Sequence, residues 1–160
     1  MMTSHARLIT MASPYSLEPV ILLNEVFPGH TNALDTLFGG HLMSIMDTSA
    51  GMVASKFAHK EFVTISVDAL KFRKPAYQGD IIRTTARVVW TSPRTAGIHV
   101  TSCRMSRSEW EGDEICSGFF FMVAIDQSMN EVTQLSLTSH IINNTTKQTD
   151  NERRDAPINL

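Results

Sequence analysis

The chain reads as a single α+β domain in which an antiparallel sheet wraps one long central helix, and three observations predict this. Residues 37–54 hold no ionisable side chain except His41 and Asp47, and their length and apolar content suit a core helix. Four later runs, separated by Pro-, Gly- and Ser-containing turns, show strand-like patterning. The chain has 160 residues, enough for one domain with a real core.

Taken in order, residues 1–18 form an irregular lead-in marked by Pro14, and Pro19 opens the domain at 19–138. Residues 20–27 are an apolar first strand, broken by the loop Pro28-Gly29-His30-Thr31-Asn32. Gly39-Gly40 opens the helix, which runs to about Ala58. On its wheel Leu42, Ile45, Met46, Ser49 and Val53 share one face, while Asp47 falls beside Gly40, Ala50, Gly51 and Ala54. A strand at 62–72 alternates Val63, Ile65, Val67 and Ala69 against Thr64, Ser66 and Asp68. The next, 81–91, places Ile82, Thr84, Ala86, Val88 and Trp90 on one face, opposite Arg83, Thr85 and Arg87. A strand at 96–105 has its phase blurred near Ser102, where a bulge is expected. After a polar connection at 106–114, residues 115–125 are apolar on both faces and mark the most buried strand. Residues 139–160 are rich in Asn, Thr and charge and read as a disordered tail. One helix covers one face of such a sheet, so the other face or an edge is expected to meet a second subunit.

Composition narrows the function. A net charge of −2 leaves no basic footprint for nucleic acid, and 42% hydrophobic with 19% charged residues is ordinary for a soluble protein. No apolar run is long enough to span a membrane. Residues 1–17 lack acids but carry one arginine, Arg7, too few for a transit peptide. Cys103 and Cys116 sit in strand-like runs without metal-ligand spacing, as small hydrophobes of a reducing compartment. The expectation is a cytoplasmic protein with no metal.

A lone carboxylate in an uncharged helix is costly to bury without a purpose. Asp47 therefore reads as a group presented into a confined, partly dry site, the alternative being a structural aspartate bonded to nearby amides. No Gly-x-Ser-x-Gly elbow, His-x-x-x-His or Cys-x-x-Cys pair is present. His41 and His30 are single histidines, read as local hydrogen-bonding or packing residues before general bases.

Five pieces in order carry a resemblance. Thr31-Asn32, Leu37-Phe38-Gly39-Gly40, Met46-Asp47 with Ala50-Gly51, the run from Val63-Thr64 to Lys71-Phe72, and Pro75, Gly79-Asp80 and Thr91-Ser92 up to 123–126 resemble the signature of hot-dog-fold acyl-coenzyme A thioesterases. The similar subgroup comprises the short bacterial acyl-CoA hydrolases and the tandem-domain cytosolic acyl-CoA hydrolase of animals. The resemblance implies hydrolysis of acyl-CoA to a carboxylic acid and coenzyme A, in a homo-oligomer (a dimer or trimer of dimers) with sites at dimer interfaces. It implies that the counterparts of Asn32 and Asp47 come from different subunits. His41 departs from the family pattern, which often has a bulky aromatic or a threonine there.

Thioester hydrolysis needs an activated water, a donor for the developing oxyanion and a hold on the cofactor-sized leaving group. Asp47 suits a general base or a nucleophile, and Asn32 can orient water or hydrogen-bond the carbonyl, or simply cap a turn. Gly39 and Gly40 offer free N–H groups at the helix start, beside the positive end of its dipole. Candidates to hold coenzyme A are Arg94, then Lys71, Arg73 and Lys74, with Ser66 and Asp68 flanking the pantetheine. No resident cofactor is expected, coenzyme A being part of the substrate. The other readings are a hot-dog dehydratase, which typically uses a His-plus-acid pair, and an acyl-CoA-binding sensor.

Overall fold

The computed structural model describes residues 15–125; most of the lead-in, residues 126–138 and the expected tail lie outside the described residues. Strand β1 (Val20–Glu25) leads through a 3-10 turn (Pro28–His30) to helix α1 (Gly39–Ala58). Strands β2 (Glu61–Phe72), β3 (Ile81–Thr91), β4 (Thr95–Met105) and β5 (Asp113–Ile125) follow. All five form one antiparallel sheet in the order β1-β3-β4-β5-β2. The sheet wraps α1, which packs against every strand, and this is the hot-dog arrangement.

The helix is where the apolar pattern places it. It ends because His59 turns left-handed (φ 54) and its N–H bonds back to the Ser55 carbonyl at 2.8 Å. Its buried side is Leu42, Met46, Ser49, Ala50, Val53, Ala54, Phe57 and Ala58. Ala50 and Ala54 are thus core residues, and Ile45 only half-buried, which corrects the wheel. The core stripe is wider than the bulky residues alone suggest, because the alanines let the sheet come close. Asp47 shares the exposed side with Gly40, Met43, Ser44 and Met52. Two buried polar groups in the sheet satisfy each other, Thr84 Oγ1 and Ser102 Oγ lying 2.8 Å apart.

Bulges, more than alternation, set the side-chain phase of the strands. The β2–β5 register shifts between Thr64 and Ser66 and again between Asp68 and Lys71, where Ala69 takes a positive φ of 48°. The smooth alternation expected for β2 is therefore incorrect. Phe62, Val67 and Leu70 pack on the core, while Ile65 is 57% exposed. Gly118 opposite makes room for the second bulge, since a Cβ there would lie 2.9 Å from Leu70 Cδ1. In β3 the alternation holds from Ile82 to Val88, then a shift before Trp90 turns that ring outward and buries Thr91. Trp90 lies over Gly97 and meets Phe121 edge-on, with centroids 6.1 Å apart. The shift expected in β4 falls between Ser102 and Cys103, and β5, inside the sheet, is the most deeply buried strand.

Phe57 is fully buried and stacks on Tyr15, with centroids 5.0 Å apart. Phe57→Ala is expected to destabilise the fold by about 3–5 kcal/mol through cavity formation, read as a fall in the urea midpoint with an unchanged slope.

Candidate active site

Asp47 stands on the exposed side of α1, two turns from its start, and its Oδ1 accepts a hydrogen bond from Thr64 Oγ1 at 2.5 Å. The first bulge of β2 follows Thr64, so the threonine keeps its helix-facing phase while Ser66 turns away. One chain alone does not enclose Asp47, which is exposed, so the expected confinement is not supplied within the subunit. Thr64 is the candidate site residue that motif reading left out. Its hydroxyl one strand away from an isolated carboxylate was visible as a residue type, but its aim depends on the bulge.

Asn32 organises its own loop. Its Oδ1 accepts from the Leu34 N–H at 2.9 Å and the Thr36 N–H at 3.2 Å, and its Nδ2 donates to Thr36 Oγ1 at 3.0 Å. Within one chain this is the turn-capping asparagine that was the plainer reading of the residue. The bridges Thr31–Leu37 and Thr36–Tyr77 fasten the loop ahead of α1.

At the helix start the N-cap position is Phe38, which provides no side-chain acceptor, so the first amides of Gly39 and Gly40 lack a capping side chain. A Cβ on Gly40 would sit 2.5 Å from the Phe38 ring, and one on Gly39 would touch Phe72 at 3.4 Å. The glycines thus let two aromatic rings lie close to the helix start. His30 and His41, read separately from sequence, stack beside them with centroids 3.9 Å apart. Burial, and then the neighbouring His30 charge, hold His41 below the ordinary imidazole value.

The residues expected to hold coenzyme A divide into three groups. Ser66, Asp68 and Lys71 pair across β5 with Phe121, Phe119 and Ser117, on the sheet face away from α1. Arg73 is already engaged, with Glu114 at 3.4 Å and Ser117 Oγ at 3.2 Å, and Lys74 pairs with Asp113 at 3.1 Å. Arg94 is exposed in the β3–β4 turn and has no ion pair among the described residues. That turn borders the row Ala96–Met122–Thr64, so Arg94 stands at the end of the sheet that carries Thr64 and Asp47. Burial pushes the Cys116 thiol up to about 11 against the opposing effect of Arg73, so it is an inert core group. Among the described residues no three of His, Cys, Asp and Glu converge as metal ligands. No helix among them is long and apolar enough to cross a membrane.

This geometry has known counterparts. A model of the thioesterase superfamily matches residues 34–107. A protein of Zymomonas mobilis named an uncharacterized acyl-CoA thioester hydrolase is 37% identical over 127 residues, which cover 74% of this chain and 85% of the relative. The crystal structure of an acyl-CoA hydrolase from Bacillus cereus superposes with a TM-score of 0.70 at 26% identity, covering 86% of this chain and 85% of that one. The acyl-CoA hydrolase of Staphylococcus aureus, solved with butyryl coenzyme A, coenzyme A and coenzyme A disulfide, superposes with a TM-score of 0.69 at 27% identity, covering 85% of each chain. That enzyme has also been solved with an aspartate, an asparagine or a threonine replaced by alanine. The chain belongs to the acyl-CoA thioester hydrolases of the thioesterase superfamily.

Replacing Asn32 by Ala removes the acceptor of two loop amides. The expected cost is about 1–3 kcal/mol of local stability, and hydrogen exchange at Leu34 and Thr36 should accelerate while the α1 core amides keep their protection.

Proposed function

We propose that the protein hydrolyses acyl-CoA thioesters to a carboxylic acid and coenzyme A, with Asp47 as general base or nucleophile. The observation that carries this reading is the exposed Asp47 carboxylate, the one acid on α1, oriented by the Thr64 hydroxyl. The hydrogen bond fixes the carboxylate while leaving its second oxygen for water or the thioester carbon. In the Staphylococcus aureus enzyme the asparagine, aspartate and threonine replaced by alanine stand 15 and 17 positions apart. The same intervals separate Asn32, Asp47 and Thr64. The reaction needs no resident cofactor, and the free Cys103 and Cys116 suit the reducing cytoplasm.

Distance within one helix supports a shared site. Asp47 lies eight residues beyond Gly39, about 12 Å along the axis, too far for both to touch one thioester. The N–H groups of Gly39 and Gly40 that would stabilise the oxyanion, and Asn32 beside them, therefore belong to one subunit and the attacking Asp47 to its neighbour. Strand β2 supplies a surface for such a homo-oligomer. It is an edge strand of 12 residues with Ile65 and Phe72 exposed, a form that invites pairing with another chain. Pairing there sets the exposed side of α1 near the junction and supplies the enclosure that a single chain lacks. Arg94 then meets the phosphates of coenzyme A as a free guanidinium.

Asp47→Asn is expected to lower kcat about 10²–10⁴-fold on a panel of acyl-CoAs followed by thiol release, with the fold retained. Thr64→Val should cost roughly tenfold, the worth of one charge-assisted hydrogen bond at an exposed position. Hybrid oligomers of Asn32→Ala and Asp47→Asn chains should regain part of the activity; if they regain none, the shared site is wrong. Tight acyl-CoA binding without turnover by the native protein would instead indicate a sensor. Arg94→Ala should raise KM for acyl-CoA several-fold and leave that for an acyl-pantetheine thioester unchanged; equal effects on both would remove Arg94 from the phosphate site.

A further inference from the structure

Two imidazoles meet where the 3-10 turn touches the start of α1. The His30 and His41 rings stack with centroids 3.9 Å apart and planes inclined by 18°. His30 Nδ1 accepts a hydrogen bond from the Phe27 amide at 3.2 Å, so the neutral ring carries its proton on Nε2. The backbone follows the same path. The Phe38 N–H donates to the His30 carbonyl at 2.8 Å, and the His41 N–H to the Phe38 carbonyl at 3.0 Å. Thr31 and Asn32 leave one side of this junction, and Gly39 and Gly40 precede His41 on the other. The pair therefore ties the asparagine turn to the glycine helix start.

The surroundings favour uncharged rings. On the turn side the groups facing the pair are His30 itself and the apolar ring of Phe27, which meets His30 edge-on at 5.6 Å. On the helix side they are His41, the Phe38 ring over Gly40 and the positive end of the α1 dipole. Neither imidazole forms an ion pair among the described residues. Two imidazolium rings at this spacing repel, and a doubly protonated His30 has no lone pair left for the Phe27 amide.

We propose that His30 and His41 are positioning residues for thioester hydrolysis, a clamp that holds the Asn32 turn against the Gly39-Gly40 amides while both rings are neutral and lets go when they take up protons. The inference rests on the acyl-CoA hydrolase reading above. It makes turnover sensitive to mild acid, independently of the attacking carboxylate. Because burial depresses the His41 value, the unclamped ring binds a proton more readily than the clamped one. The clamp is thus fully stable above the ordinary imidazole value of about 6.5 and weakens as the pH falls below it.

The test is a pH profile of kcat/KM for acyl-CoA hydrolysis by the full chain, from about pH 4.5 to 9. The native protein should lose activity in an acid limb that lies below the ordinary imidazole value of about 6.5. His41→Ala should lower kcat/KM roughly tenfold at alkaline pH, and His41→Phe, which restores a stacking ring, should recover most of that loss. In His30→Asn/His41→Phe, which keeps an acceptor and a ring but no imidazole, the acid limb should move down by about one pH unit or more. An acid limb unchanged in the double variant, or no rescue by phenylalanine, overturns the clamp. Nitrogen-15 imidazole spectra serve as a second readout that needs no turnover. They should show His30 unprotonated at Nδ1 at alkaline pH, with the Asn32 and Gly40 amides shifting as the rings titrate. If the native protein turns over no thioester but these spectra show the coupled titration, the catalytic reading fails and the clamp stands. Rings that titrate without moving those amides overturn the clamp even where turnover is normal.

Discussion

The burial of one nearly uncharged helix by one sheet is the constraint on which everything else in this molecule depends. The core side of α1, from Leu42 to Ala58, is lined with alanines and serine between larger residues, so five strands can close around it. A wrapped helix leaves a strip on its far side that the sheet does not cover. On that strip the chain places Asp47, where charge carries little burial cost within the subunit and where a neighbouring chain can close over it.

The sheet is shaped to serve the same strip. In β2 the register shift after Thr64 separates a threonine that faces the helix from a serine and an aspartate that face away. A regular strand of that length would carry a single alternation and turn Thr64 and Val67, three residues apart, to opposite faces of the sheet. The second shift, at Ala69, returns Leu70 to the core and Phe72 to the helix start, where it lies against Gly39. Bulges at the edge of a sheet re-aim side chains at modest cost, and here they connect the edge strand both to Asp47 and to the start of α1.

Much of this was readable from the chain. The bounds of α1, the four long strands, the shift near Ser102 and the burial of residues 115–125 follow from period and punctuation. Those signals are local and strong. Asp47 was legible because a single charge in an apolar segment stands out, and Asn32, Gly39 and Gly40 because they keep their order in a resemblance. Less legible was which side chains of β2 face the helix, since a bulge is a property of two strands together. The same holds for Trp90, whose outward turn depends on the space over Gly97. Lys74 and Arg73 looked like free cations until Asp113 and Glu114 came beside them from β5.

The amino-acid sequence by itself determined the fold class, the helix and the identity of its one carboxylate, because hydrophobic period and the cost of charge act along the chain. Tertiary structure decided the rest. It brought the Thr64 hydroxyl to Asp47, stacked His30 on His41, and parted Arg94 from the basic residues at the other end of the sheet. Those arrangements depend on strand register and on how a turn docks against a helix start, distances set between segments far apart in sequence that no local pattern encodes.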